Sequence, residues 1–203
     1  MKYITGADIE AQDKLYRINL INSITGYKPA NLIGTIASNG QTNLAIISSV
    51  VHLGSNPPYI GFFSRPGSVP RHTIENIRET GFFTINHIHS PFITQAHQTS
   101  ANYPRNVSEF AACGFDEEYL HNFKAPFVKQ SRVKIGLSFV EESLIKTNGV
   151  VLVVGKIESI ILPEDVLQAN GSLDLSLVDN VCITGLDTYN KVTPITTLPY
   201  ARV

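Results

Sequence analysis

Apolar positions in the first twenty residues recur at helical spacing, with Ile9, Leu15 and Ile18 in the pattern and Asp8 placed to cap. After Gly26 the texture changes. Residues 31 to 37 form an apolar, partly β-branched run, Ser38-Asn39-Gly40-Gln41 is a turn signal, and residues 43 to 53 form a second apolar run. Two such runs flanking Asn-Gly predict a β-hairpin, because its tight turn needs residues that tolerate positive φ. The chain turns again over residues 54 to 58, and residues 59 to 63 read as a third strand. A helix follows, with Ser68 as its cap, Pro70 in the first turn, Ile74 and Ile77 on one face and Gly81 as its stop.

Residues 82 to 88 return to strand, Ser90-Pro91 opens a short helix, and residues 105 to 130 read as loop and short helix. Val133, Ile135, Leu137 and Phe139 alternate with Lys134, Gly136 and Ser138, the period-two pattern of a strand with one buried face. Residues 150 to 154 and 157 to 162 make a long strand with a bulge at Gly155; residues 178 to 183 make a last one. The tail from Tyr189 reads as extended and proline-punctuated. Strands joined mostly by turns, with helices near the middle, predict a mainly β fold: an antiparallel β-barrel with α elements around it. No linker or repeat divides the chain, so residues 1 to 203 are expected to form one domain.

Composition narrows the classes. Hydrophobic residues make up 43% and charged residues 16%, which excludes a disordered chain. Sixteen Lys and Arg against 17 Asp and Glu leave a net charge of −1, with no general attraction to nucleic acid or an anionic membrane. Residues 29 to 64 carry no Asp, Glu, Lys or Arg, but Asn39-Gly40, His52 and Pro57-Pro58 cut the stretch into pieces too short to span a bilayer. Met1-Lys2-Tyr3 leads straight to Asp8 and Glu10 without the basic-then-apolar order of a signal peptide. Cys113 and Cys182 have no zinc-ligand spacing and are expected as reduced, buried thiols of a soluble cytoplasmic protein.

The chain has no dinucleotide-binding glycine fingerprint after a strand, no P-loop, no G-x-S-x-G and no H-E-x-x-H. His87, His89 and His97 are the one histidine grouping; Pro91 ends their strand and no nearby carboxylate orients the rings, so no metal is assigned. The segment with chemistry is residues 31 to 86. Its first side-chain cations, Arg65 and Arg71, fall at a strand end and a helix start. Ser48 and Ser49 end an apolar run, and His72-Thr73 follows Arg71. Free amides at a helix start, an arginine and hydroxyls suit a phosphate dianion.

Order and spacing add a resemblance. Lys28-Pro29-Ala30-Asn31 through Thr35, then Asn39-Gly40, Asn43-Leu44-Ala45, Ser48-Ser49 and Asn56-Pro57-Pro58 resemble the flavin reductase-like family of FMN-binding split barrels. Arg71-His72-Thr73 fills the family's basic-x-Thr place, and Gly81-Phe82-Phe83-Thr84-Ile85-Asn86 its phenylalanine strand. Tyr103-Pro104-Arg105, Ser108-Glu109-Phe110, residues 153 to 157 and Gly185-Leu186-Asp187 extend the likeness over nearly the whole chain. Ile46 stands where the family often has proline, and Arg-His-Thr where it commonly has Lys-Asp-Thr.

The resemblance implies that Arg71, His72 and Thr73, with Ser48 or Ser49, hold an FMN phosphate, with Arg65 as a second cation. It implies that Asn43, Leu44 and Ala45 line the isoalloxazine edge by their backbone, with Thr35 nearby. It also implies a homodimer that takes hydride from NADH or NADPH and passes electrons to an acceptor the sequence does not name. Tyr103 and Tyr189 either approach the flavin or are amphipathic packing residues. Two alternatives stay open: an FMN-binding electron-transfer protein without nicotinamide activity, and a barrel for another small ligand.

Overall fold

The computed structural model describes residues 1–66 and 71–202. Two helices open the chain, α1 (Gly6–Ala11) and α2 (Lys14–Ser23). The helical texture breaks between them because two residues compete to start a helix. Thr5 Oγ1 accepts the Asp8 N–H at 3.1 Å while the Asp8 carboxylate accepts the Thr5 N–H at 2.8 Å. Asp13 accepts from the N–H groups of Leu15 and Tyr16, both at 3.0 Å. Asp8 is therefore the third residue of a capping box, and Thr5 is the cap.

Strands β1 (Lys28–Pro29), β2 (Asn31–Ile36), β3 (Thr42–Ile47), β4 (Val51–Ser55) and β5 (Pro58–Ser64) precede α3 (His72–Thr80) and β6 (Phe82–His87). Then come α4 (Ile93–Gln98), α5 (Glu109–Ala112), β7 (Glu117–Glu118), β8 (Phe127–Val128) and the long hairpin β9 (Lys134–Ile145) and β10 (Val150–Ile161). Strands β11 (Val181–Thr184) and β12 (Thr188–Lys191) end the regular structure. Seven antiparallel strands form the main sheet in the order β3-β2-β6-β9-β10-β5-β4, and β1, β11 and β12 form a small second sheet. The mainly β, antiparallel split-barrel architecture expected from the sequence is the one observed.

The seam lies between β3 and β4, the two edge strands, which are joined by only Ser48, Ser49 and Val50. Residues 43 to 53, expected as one apolar strand, are thus two. Ser49 explains the break: its hydroxyl donates to Phe63 O at 2.9 Å and accepts the Phe63 N–H at 3.1 Å. The side chain serves both backbone groups of Phe63, so the connection is held to β5 without continuing a strand.

Several expected turns are where the residues put them. Gly40, at φ +88°, closes the β2–β3 hairpin, and Gly81, at φ +76°, ends α3. The register shifts at Gly155, where a Cβ would lie 2.5 Å from the Phe83 ring, so glycine is required by the close approach as well as by the bulge. Ser68 and Pro70 lie outside the described residues. The last expected strand begins later than read: Val178 belongs to a 3-10 turn ending at Asp179, φ +51°, and β12 follows β11 as a further strand.

Apolar residues pack on both faces of β2. Ile33 points into the barrel with Phe62, Phe83 and Val153 and with Ile74 and Ile77 of α3. Leu32 and Leu44 point outward against Ile88, Phe92, Phe110 and Val181. Burial on both faces is why the run reads as continuously apolar rather than alternating. Two polar pairs lock α3 to the inner face: Asn76 Nδ2 donates to Thr35 Oγ1 at 3.1 Å and Asn43 Nδ2 to Thr73 Oγ1 at 2.9 Å.

Cys113 and Cys182 are buried and unbonded to each other. Among the described residues no three His, Cys, Asp or Glu side chains converge as metal ligands. His89 Nε2 accepts the Arg132 N–H at 2.9 Å and His97 Nδ1 lies 3.1 Å from the Tyr189 hydroxyl. No helix among the described residues is long and apolar enough to cross a membrane.

Candidate functional site

A cleft of about 1130 Å³ opens at the barrel seam. One wall is β3 with the seam residues, including Asn43, Ala45, Ser48 and Ser49; the β5 end contributes Arg65, and the start of α3 contributes Arg71, His72 and Thr73. The facing wall carries His97, Asn102, Tyr103 and Asp187. Eight predicted site residues therefore converge on one cavity. Thr35 and Leu44 do not line it. Thr35 is fully buried and spent on Asn76, while the Leu44 side chain sits in the outer core.

The start of α3 is the electropositive end. Arg71 occupies the N-cap position and makes no side-chain cap, so the amides of His72 and Thr73 receive none. The next two N–H groups, of Ile74 and Glu75, are taken by Arg71 O at 2.9 and 3.0 Å. Uncapped first-turn amides carry the positive end of the helix dipole and accept an anion readily. Arg65 and Arg71 are exposed and make no ion pair with any described residue. Glu75, the acid of that first turn, is neutralised by Arg105.

Thr73 is buried, and its lone pair already accepts from Asn43, which leaves its hydroxyl proton to be donated. Ser49 is placed differently from expectation. Its hydroxyl proton goes to Phe63 O, so its side chain is committed to holding the seam. Ser48 has no side-chain hydrogen bond to a described residue.

The wall formed by β3 is a sheet edge. Leu44 N–H turns away from β2 and donates to Glu109 Oε2 at 3.0 Å. Backbone direction alternates along a strand, so Ile46, two residues on, presents its amide and carbonyl to the same outer edge. Such an edge recognises a ligand with its own amide-like donors and acceptors.

Residues 27–178 match the flavin reductase like domain. The chain belongs to the flavin reductase-like family. It is similar over 99% of its length to a candidate flavin reductase with a split-barrel domain from Shewanella frigidimarina NCIMB 400, covering 100% of that chain at 45% identity and a TM-score of 0.96. It shares its fold with an FMN-binding protein from Thermus thermophilus solved with 1-cyclohex-2-enone, at 16% identity and a TM-score of 0.71, over 85% of this chain and 90% of that one. An uncharacterised protein from Aquifex aeolicus is 26% identical over 123 residues, 60% of this chain. The match spans 62% of that relative's length.

In this flavin reductase-like protein three charged cleft residues, Lys28, Glu109 and Asp187, escaped sequence reasoning as site residues. Lys28 donates to Gly185 O at 2.7 Å and Asn22 O at 3.1 Å, and burial, with the charge of Arg65, lowers its pKa. Only the pairing of β1 with β11 brings it there. Glu109 is 6% exposed at the head of α5. The motif Ser108-Glu109-Phe110 marked it in the sequence, but its contact with β3 crosses 65 residues of chain.

Proposed function

We propose that this protein binds FMN in the seam cleft and is an NAD(P)H-dependent flavin reductase, taking hydride from NADH or NADPH and passing electrons to a separate acceptor. The observation that carries the reading is the uncapped start of α3, with Arg71, His72 and Thr73, at one end of a cleft walled by a free strand edge. The helix start fits a phosphate, and the β3 edge fits the amide-like rim of a flavin ring. A single helix start with one converging set of cations favours FMN, with one phosphate, over a dinucleotide flavin. The family and the FMN-binding neighbour in Thermus thermophilus support the same cofactor.

Bound flavin supplies the two-electron chemistry, and the chain's own groups bind, orient and exclude water. Outward backbone donors on β3, fixed before any ligand arrives, favour charge developing on the ring rim without reorganising. The cleft volume of about 1130 Å³ lies at the upper end of small-molecule sites, leaving room on the side of His97 and Tyr103 for a second planar ligand. The reading includes a homodimer: Tyr27, 73% exposed, lines the cleft, and a second copy would cover it together with other exposed apolar side chains of the N-terminal region such as Leu15 and Ile24.

The test is a visible spectrum after mixing with FMN and desalting, followed by NADH or NADPH in the same anaerobic cuvette. Retained flavin bands that bleach at a catalytic rate support the reductase. Retention without bleaching by either donor assigns an electron-transfer protein instead. Absence of both retention and turnover of free FMN refutes the flavin reading.

A further inference from the structure

Glu109 is a carboxylate where the proposed ligand is an anion. It is 6% exposed, lines the cleft, and no cation among the described residues pairs with it. Its hydrogen bonds are to backbone: the Leu44 amide at 3.0 Å and its own N–H. Arg105, the nearest basic residue in sequence, is committed to Glu75 and Asn76. The titratable groups that face Glu109 are His72 from α3, Tyr103 from the facing wall and Cys113 at the end of its own helix. Only His72 can offset a negative charge. Tyr103 and Cys113 are 3.6 Å apart; burial pushes the Cys113 thiol up, the Cys113 contact and burial push Tyr103 up against the Gln98 hydrogen bond, and the Glu109 charge adds to both in the same direction.

Taking a carboxylate out of water without a counter-ion favours its neutral form. Burial pushes the Glu109 carboxyl above its ordinary value, outweighing the Leu44 amide and the charge of His72. An anion arriving at the amides of His72 and Thr73 adds a like charge on the side where His72 gave the only relief. It also covers the cleft opening that still reaches solvent.

We propose that Glu109 takes up a proton when FMN binds, so that occupancy of the cleft is linked to protonation of this one carboxyl. The inference rests on the FMN reading above. In the neutral form Glu109 still accepts the Leu44 N–H through its carbonyl oxygen, so the β3 edge stays in place while the charge conflict is removed. FMN affinity then falls as pH rises, which makes retention of the flavin sensitive to its surroundings.

Glu109→Gln is the discriminating variant, because the amide keeps the shape and the acceptor for Leu44 but cannot ionise. FMN dissociation constants are measured by flavin fluorescence across about pH 5 to 8 for the parent and the variant, with calorimetry in two buffers of different protonation enthalpy. Phosphate titration of FMN itself is common to both proteins and cancels in their ratio. The parent-to-variant ratio of Kd is expected to climb about tenfold across the range, the effect of one unit of pKa, with proton uptake seen in the parent and lost in Glu109→Gln. A ratio that does not change with pH overturns the proposal. FMN binding by neither folded protein refutes the flavin reading itself, a distinct outcome. Should the variant not fold, His72→Gln carries the test: uptake that persists without His72 assigns the proton to Glu109, and uptake that disappears assigns it to His72 and overturns the proposal.

Discussion

Thr73 joins the fold to the site, and replacing it with valine separates the two contributions. The threonine is 8% exposed in the first turn of α3, and Asn43, 6% exposed, donates to its hydroxyl at 2.9 Å. Valine has nearly the same shape, so no cavity forms, but the Asn43 amide loses its acceptor in a buried place. An orphaned buried donor costs about 1–3 kcal/mol. At roughly 2–4 °C per kcal/mol for a chain of this size, the melting temperature should fall by about 2–12 °C. On the FMN reading, the same substitution removes a hydroxyl proton available to the phosphate. A hydrogen bond to a charged group contributes about 1.5–3 kcal/mol, so the FMN Kd should rise roughly 10- to 150-fold. Thr73→Ser keeps the hydroxyl and should recover most of both losses. Calorimetric melting without ligand and flavin fluorescence titration read the two effects independently. A valine variant that melts lower yet binds FMN as the parent does would refute the phosphate role and leave Thr73 a structural residue. A variant unchanged in melting would refute the Asn43 pair.

Acid should destabilise the protein before its exposed carboxylates titrate. Burial holds His87 and His89 neutral, with pKa lowered to about 4, against about 6.5 in the unfolded chain. A lowered folded pKa means this stability is whole above pH 6.5 and is lost as pH falls toward 4. Across about pH 6.5 to 5 the two rings should remove about 3 kcal/mol, seen as a lower urea midpoint; a flat profile there refutes the burial argument. Glu109, with its pKa raised, gives stability in the opposite direction, fully present at low pH and declining as pH rises through its folded pKa. Gly155→Ala should lower stability by about 1–3 kcal/mol, because the new Cβ would lie 2.5 Å from the Phe83 ring and 3.1 Å from Leu137 Cβ. Gly6→Ala, with nothing within 4 Å of the new atom, is the control and should leave the midpoint within error.

Local signals were legible where one residue type meets one backbone demand. Asn39-Gly40 marks a hairpin because Gly40 sits at φ +88°, and Gly81 marks a helix end because it sits at φ +76°. Gly155 marks a bulge because the Phe83 ring approaches too closely for a Cβ. Signals failed where a side chain's partner lies far along the chain. Nothing near Thr35 says that its hydroxyl belongs to Asn76, nor near Glu109 that its partner is the Leu44 amide. The family resemblance assigns Thr35 and Leu44 to the site, Leu44 by its backbone. Strand alternation sends Leu44 to the opposite face from Asn43, and Thr35 shares the Asn43 face but is consumed by α3.

Residues 43 to 53 read as one apolar run and fold as two strands, and the break falls on the site itself. Ser48 and Ser49 are the polar pair in that run, read as a strand end and as candidate phosphate partners. In the folded chain they are the seam, where the sheet has two edges instead of a closed ladder. An open edge is a liability that barrels usually remove by closure. Here it is kept: Glu109 takes the outward Leu44 amide, and the edge borders a cleft with a helix start at one end. Ser49 makes this stable by satisfying Phe63 with its own hydroxyl, so the β4–β5 ladder can end at Gly61 without orphaning the Phe63 backbone pair. The departure from regular strand pattern and the cleft proposed to hold a flat, amide-rimmed, phosphate-bearing ligand thus have one physical cause.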